Sequence, residues 1–201
     1  GVRLIGECNV VRFSREGALT RVHLDSGGSF ISDFVVAGIG VAPALELFEA
    51  TEVEVDKGIV VNEYLQSSVA NIYAAGDVTE YVDLVFGKRR RIEHWQNAVD
   101  QGRWAAQNMV GEPRWYEGIP YFFSDMFDLS WEFWGDPTDV DDVVYVGDID
   151  EGSFSVWWLR DDVVRAAFVL DRPEDERELA MACVREQRMA PSMVFSLATP
   201  D

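Results

Sequence analysis

Residues Asn71 to Val78 read Asn-Ile-Tyr-Ala-Ala-Gly-Asp-Val, an apolar run that stops on Gly-Asp. The order predicts that Tyr73, Ala74 and Ala75 close a buried parallel strand, and ligands of open α/β sheets collect at the carboxyl ends of such strands. Gly76 puts no side chain between the backbone and a ligand, and the Asp77 carboxylate can accept hydrogen bonds from sugar-like hydroxyls. An ordinary strand-loop junction uses the same residues, so the neighbouring segments have to decide.

Upstream, Phe34 to Pro43 reads as a strand that breaks into glycines, and Gly58 begins a second apolar segment that runs into the Gly-Asp turn. Downstream, Glu93-His94-Trp95 opens a helix expected over His94 to Met109, with Trp95, Ala98, Val99, Ala105 and Ala106 at helical spacing. Glu7 to Phe13, Leu19 to Leu24 and Phe30 to Ala37 alternate as a small antiparallel meander, and Ala44 to Glu49 as a helical turn. Tyr121 to Leu170, aromatic and β-branched, reads as several antiparallel strands in which Trp131, Phe133 and Trp134 are expected to be core. Pro173 to Arg188 reads as a closing helix with acids in its first turn.

Taken in this order, these segments resemble the second half of a flavoprotein reductase of the pyridine nucleotide-disulfide oxidoreductase superfamily. The similarity is to the branch that holds ferredoxin reductases of oxygenase systems, apoptosis-inducing-factor-like proteins and monodehydroascorbate reductase. Pro120 to Asp136 is especially similar to the last of these. The resemblance implies the C-terminal portion of such an enzyme. Its fold class would be α/β plus α+β: the remains of NAD- and FAD-binding dinucleotide folds (residues 1–43 and 44–112), then an α+β domain with an antiparallel sheet and a final helix (113–201).

It further implies FAD and NAD(P)H as cofactors. Gly76 and Asp77 would bind the FAD ribityl and phosphate region, and Glu93, His94 and Trp95 would sit beside the isoalloxazine, with Glu93 orienting the nicotinamide amide. Phe123 would cover the flavin. Gly38, Ile39 and Gly40 would close the nicotinamide domain near the nucleotide. Hydride transfer leaves negative charge near N1 and the C2 carbonyl of the ring, which the amino end of the helix at Trp95 would favour. For Glu93 and Trp95 the competing reading is a helix-capping acid and a core tryptophan; for Phe123 it is plain aromatic packing.

The implied acceptor is a small molecule or a ferredoxin-type protein. Monodehydroascorbate reductases carry a basic residue in the helix after their Glu-His pair, where this chain has Val99 with Arg103 a turn later. A ferredoxin, generally acidic, would meet an acidic surface here, though Lys88 to Arg91 offers one basic run. The chain has no Gly-x-Gly-x-x-Gly fingerprint, since Pro43 stands where the third glycine of Gly38-Ile39-Gly40 would fall. Its only histidines, His23 and His94, precede the C-terminal region where disulfide reductases carry a catalytic His, and Cys8 and Cys183 form no Cys-x-x-Cys pair, so thiol chemistry is not expected. No residue is assigned a catalytic or metal-ligating role.

A net charge of −19 argues against nucleic acid or anionic lipid as partners, because binding them depends on Lys and Arg. No run of about 18 apolar residues points to a membrane span. The expected setting is cytoplasmic and a homodimer is among the expected assemblies. The alternative function is a non-catalytic interaction or dimerisation fragment.

Overall fold

Gly17 (φ +64°) and Gly27 (φ +85°) adopt left-handed backbone that an L side chain resists, and the chain reverses at each. They join β1 (Val10–Glu16), β2 (Leu19–Leu24) and β3 (Ser29–Ser32) into an antiparallel sheet in that order. The meander was expected and β2 falls as read, but the outer strands overlap their expected ranges only over Val10–Phe13 and Phe30–Ser32. Glu16 pairs with Leu19 across the first turn, and Glu7 at φ +53° breaks the extended run at the other end, so β1 starts later and runs further. Ser32 pairs with Thr20, one residue into β2, so the stretch to Ala37 has no strand left to pair with. This sheet belongs to a unit spanning Gly1–Ala42; the rest, from Pro43, forms a second unit. The computed structural model describes residues 1–192 and 194.

The second unit opens with a single 3-10 turn at Glu46–Phe48, within the turn read from the sequence. β4 (Ile59–Val60) then pairs in parallel with β5 (Thr79–Asp83), and β5 pairs antiparallel with β6 (Lys88–Arg90). The parallel pairing therefore follows the Gly-Asp turn instead of leading into it. Asn71 at φ +69° folds the chain back so that Tyr73 makes one antiparallel bridge to Gln66, and Ile72 to Ala75 form no strand.

α1 (Trp95–Met109) follows, with a buried face that is not the one its apolar residues outline. Asn97, Gln101, Ala105 and Asn108 face inward, while Trp95 is 67% exposed. The amides go inward because each clips a loop backbone. Asn97 Nδ2 donates to the Ile92 carbonyl, Gln101 Oε1 accepts from Gly76 N, and Asn108 Nδ2 donates to the carbonyls of Tyr64 and Arg114.

Beyond α1, β7 (Tyr121–Met126), β8 (Leu129–Gly135), β9 (Asp142–Asp148), β10 (Ser153–Arg160) and β11 (Val163–Leu170) form one antiparallel sheet in the order β7-β8-β11-β10-β9, and α2 (Glu174–Glu186) packs on β8 and β11. Alternate residues of the sheet, among them Trp134, Val144, Val146, Trp157, Leu159 and Val164, bury against Ala180, Cys183 and Val184 of α2. Gly135 has to be glycine: φ is +92°, and a Cβ there would run into the Arg165 carbonyl oxygen and come within 2.7 Å of Val184 Cγ1. Trp134 is core, as expected. Trp131 and Phe133 are only partly buried, because they point to the opposite face and pack on Phe168 and Trp158. β9 is the outermost strand on its side, with Val143 and Tyr145 facing out and Asp142 and Asp148 at its ends. Among the described residues no helix is long and apolar enough to cross a membrane.

Candidate functional site

The Gly-Asp turn is pressed onto the first two turns of α1. Gly76 takes φ +83°, and its missing Cβ would lie 3.3 Å from the Ala98 Cβ, so the backbone and the helix fill the space a side chain would need. Gly76 N donates to Gln101 Oε1 at 2.8 Å, and its carbonyl accepts from Thr79 N at 2.9 Å. Asp77 is exposed, and among the described residues no protein donor reaches its carboxylate. Its carbonyl accepts from Arg91 Nη1 at 3.0 Å, and the same Arg91 atom lies 2.6 Å from Glu93 Oε1. One guanidinium thus ties the Asp77 turn to the residues that lead into α1.

His94, not Glu93, caps the helix: its backbone is extended (φ −154°, ψ 139°) and its Nδ1 accepts from Gln96 N at 3.2 Å. The imidazole sits edge-on to Phe122 and Phe123, with ring centroids 5.2 and 5.3 Å away, and near Tyr121 at 6.2 Å. Phe123 is 40% exposed, so it is not simply packed away. Trp95 in the first turn is mostly exposed and is no core residue. Gly76, Asp77, Glu93, His94, Trp95 and Phe123 all belong to the second unit and gather around the amino end of α1.

Electrostatically that end is distinctive. The first turn of α1 holds no acidic residue, whereas the first turn of α2 holds Glu174, Asp175 and Glu176. In a chain with 36 acids, the partial positive charge of one helix is matched by carboxylates and that of the other is left open.

Gly38, Ile39 and Gly40 belong to the first unit. Ile39 is 94% exposed, Gly40 has φ +82°, and no heavy atom lies within 4 Å of where a Cβ would stand on either glycine. In the same unit Val10, Phe13, Phe30, Phe34, Val36 and Ile39 border an apolar hollow of about 390 Å³.

The basic run Lys88 to Arg91 is neither a solvated loop nor a free patch. Lys88 and Arg90 both pair with Asp136, Arg90 at 2.7 Å, and Arg90 Nε lies 2.8 Å from Asp83 Oδ2. Burial alone would raise the Asp136 carboxyl, but Lys88, the Thr138 hydroxyl and N–H, and Arg90 together hold it well below the usual carboxylate range. For Asp83 burial prevails over the N–H groups of Phe86 and Val85 and over Arg90, and its carboxyl is raised.

A second hollow of about 290 Å³ lies between α1 and α2, lined in part by Gln96, Asp100, Tyr121, Glu132, Trp134 and Arg185. Burial and the Glu132 carboxylate, which accepts from Tyr121 Oη at 2.5 Å, push the tyrosine hydroxyl up and keep it neutral. Cys183 is buried, which raises its thiol and keeps it from being a reactive thiolate.

The residues that sequence reasoning passed over are Asn97, Gln101 and Arg91. The amides at spacing of four on α1 were the available signal: apolar periodicity hides a buried face built from amides.

Three comparisons bear on these features. The family description "Pyridine nucleotide-disulphide oxidoreductase" matches residues 1–102, and "Monodehydroascorbate reductase 3-like, C-terminal domain" matches residues 119–198. Monodehydroascorbate reductase 4, peroxisomal, of Arabidopsis thaliana is 35% identical over 170 residues, covering 83% of this chain and 34% of its own length. Monodehydroascorbate reductase 3 of the same plant is 32% identical, with 96% of this chain and 46% of its own length covered. Among solved structures, the covalent putidaredoxin reductase–putidaredoxin complex superposes with a TM-score of 0.82 at 28% identity, over 92% of this chain and 45% of that one. The chain thus spans about a third to a half of the proteins it resembles.

Proposed function

The chain belongs to the pyridine nucleotide-disulphide oxidoreductase family, and we propose that it is the C-terminal portion of an FAD-dependent NAD(P)H oxidoreductase. The observation that carries this reading is the pairing of an exposed, unpartnered Asp77 carboxylate on a glycine turn with a helix amino end that carries no acid in its first turn. The two fit a ligand with hydroxyls at one point and developing negative charge at the other.

FAD, if bound, would supply hydride and electron-transfer chemistry between NAD(P)H and the acceptor. Asp77 accepts hydrogen bonds from the ribityl hydroxyls, and Gly76 lets the backbone approach. The amino end of α1 favours negative charge without a group that must titrate. Glu93, held by Arg91, would orient the nicotinamide amide, while Trp95 and Phe123 would lie beside the ring and limit access to it. Gly38, Ile39 and Gly40, in the first unit, would close the nicotinamide domain. On this reading residues 1–43 complete the nicotinamide domain, 44–112 return to the flavin domain and 113–201 form the α+β domain. The acceptor is a small molecule or a ferredoxin-type protein, the latter favoured by the structural similarity to a reductase solved in complex with putidaredoxin. A homodimer and a cytoplasmic setting complete the reading.

The direct test is an absorbance spectrum of the purified protein from 300 to 550 nm with and without added FAD. Stoichiometric flavin bands that bleach with NAD(P)H support the proposal; a protein that ignores FAD at every length expressed removes it. Asp77→Ala is expected to weaken FAD binding by roughly 10- to 100-fold, the worth of a hydrogen bond to a charged group. A variant that keeps its flavin at wild-type affinity would falsify the assignment of Asp77. A second reading, an interaction fragment without cofactor, draws support from the exposed Phe34, Val36 and Val41 of the first unit. Under it, Asp77→Ala leaves partner binding unchanged.

A further inference from the structure

We propose that Gln101, acting with Asn97 one turn before it, is a positioning residue for FAD: it fixes the Gly76–Asp77 turn relative to the Glu93–His94 cap. This rests on the FAD reading above. Both amides are buried, Gln101 completely. Gly76 N can only donate, so the atom that meets it at 2.8 Å is Gln101 Oε1. That assignment leaves Nε2 to donate toward Asn97 Oδ1 at 3.5 Å, which also accepts from Tyr116 Oη at 3.2 Å. Asn97 Nδ2 in turn donates to the Ile92 carbonyl at 3.3 Å.

Donation therefore runs in one sense from Gly76 through Gln101 and Asn97 to the carbonyl of Ile92, the residue before Glu93. The backbone segments at the two ends are the ones that carry Asp77 on one side and Glu93 and His94 on the other. A buried N–H with no acceptor is costly, so loss of Oε1 releases the turn sooner than it leaves Gly76 unpaired in place. Asn108, further along the same helix face, provides a built-in contrast. It makes the same kind of clip, to Tyr64 and Arg114, but touches neither end of the site.

The test compares Gln101→Met, Gln101→Glu and Asn108→Leu in the full protein that carries these residues, reading FAD affinity by titration and stability by denaturation. Methionine keeps the length and loses the acceptor; glutamate keeps the acceptor oxygen. Gln101→Met is expected to weaken FAD binding about tenfold or more, and Gln101→Glu, which keeps an oxygen toward Gly76 N but loses the donor toward Asn97, to fall between Gln101→Met and wild type. Asn108→Leu is expected to lower stability and leave FAD affinity within about twofold. Wild-type affinity in Gln101→Met, or an equal loss in Asn108→Leu, overturns the proposal, because the amides would then serve only the fold. Should Gln101→Met not fold, hydrogen exchange at the Gly76 amide of the FAD-free wild-type protein decides. Slow exchange means the turn is held in advance of the cofactor, and exchange at the rate of an unprotected amide overturns the inference. A wild-type protein that takes up no FAD sinks the functional reading itself and this inference with it, whereas an indifferent Gln101→Met in an FAD-binding protein sinks only the inference.

Discussion

Trp157→Ala is expected to lower the unfolding free energy by about 4 kcal/mol, from the range of 3–5 found for emptying a buried aromatic site. Trp157 is fully buried at the centre of β10, and no surrounding side chain is free to collapse into the space, since Leu159, Val164, Ala167 and Val184 are held by the sheet and by α2. Its indole is also bonded. Nε1 donates to Ser155 Oγ at 2.8 Å, and that hydroxyl donates to Glu176 Oε1 at 2.6 Å, itself paired through Oε2 with Arg172. Trp157→Phe fills most of the volume but loses the indole's second ring and its donor, so it should cost less, about 1–2 kcal/mol. Urea titrations of both variants check the ordering. If alanine and phenylalanine cost the same, packing is not the dominant effect. Against a typical total of about 5–15 kcal/mol, a loss of about 4 kcal/mol leaves about 1–11 kcal/mol, so the alanine variant shows a measurable unfolded fraction only if the wild type stands near the lower end.

Asp136→Asn is expected to cost about 3 kcal/mol at neutral pH, the lower end for removing one partner of a buried ion pair. The asparagine leaves Lys88 and Arg90 facing each other with no carboxylate between them; Asp83 still offsets Arg90 in part. The pH dependence has a definite sign. The folded protein holds the Asp136 carboxyl below its unfolded value, so the stabilisation is full above the ordinary carboxylate range near 3.9 and is lost as pH falls through the depressed folded value. Asp83, raised by burial, acts in the opposite sense and favours the fold more in acid than at neutrality. Denaturation of wild type and Asp136→Asn from pH 7 down to pH 3 should show a difference that is flat to about pH 4 and narrows only below it. A difference that already disappears by pH 5 would mean that Asp136 takes up its proton above the ordinary carboxylate range and is not held down by its partners. The residue matters for the site as well. It joins β6, which runs into Glu93 and the α1 cap, to the turn after β8, whose partner strand β7 carries Phe123.

Much of this was legible in the sequence. Gly17 and the Ser26-Gly27-Gly28 stretch mark reversals whatever lies around them, and the acids of Glu174 to Glu176 announce a helix start, so the meander, both helices and the antiparallel character of the C-terminal sheet could be read directly. What could not be read were properties that depend on partners. Residues 72–75 carry the letters of a strand, yet strand status requires a neighbour, and the turn at Asn71 supplies only Gln66. Apolar periodicity on α1 points to Ala98 and Ala106, whereas the inward face is set by which loop backbones need donors and acceptors. Lys88 to Arg91 looks like an exposed charge run because Asp136, the shared counter-charge of Lys88 and Arg90, is distant in sequence. At the candidate site, residue types and their gathering at the α1 amino end follow from the motifs, but the cap at His94 and the Arg91 tether emerge only from geometry.

The outermost strand β9 carries a consequence of a different kind. Among the described residues no strand pairs with its outer edge, which is a template on which a second copy could add a strand, and outward Val143 and Tyr145 would reward that pairing. Acids at both of its ends, Asp141 and Asp142 at one and Asp148 at the other, form an electrostatic fence reinforced by the net charge of the whole chain. A fence of charge is only as tall as the solvent allows. At about 0.15 M salt it reaches about 8 Å, further than the spacing of paired strands, and in molar salt it shrinks to about 3 Å, within that spacing. Whether this protein stays dispersed or self-associates is therefore set as much by the ionic strength of its surroundings as by its fold.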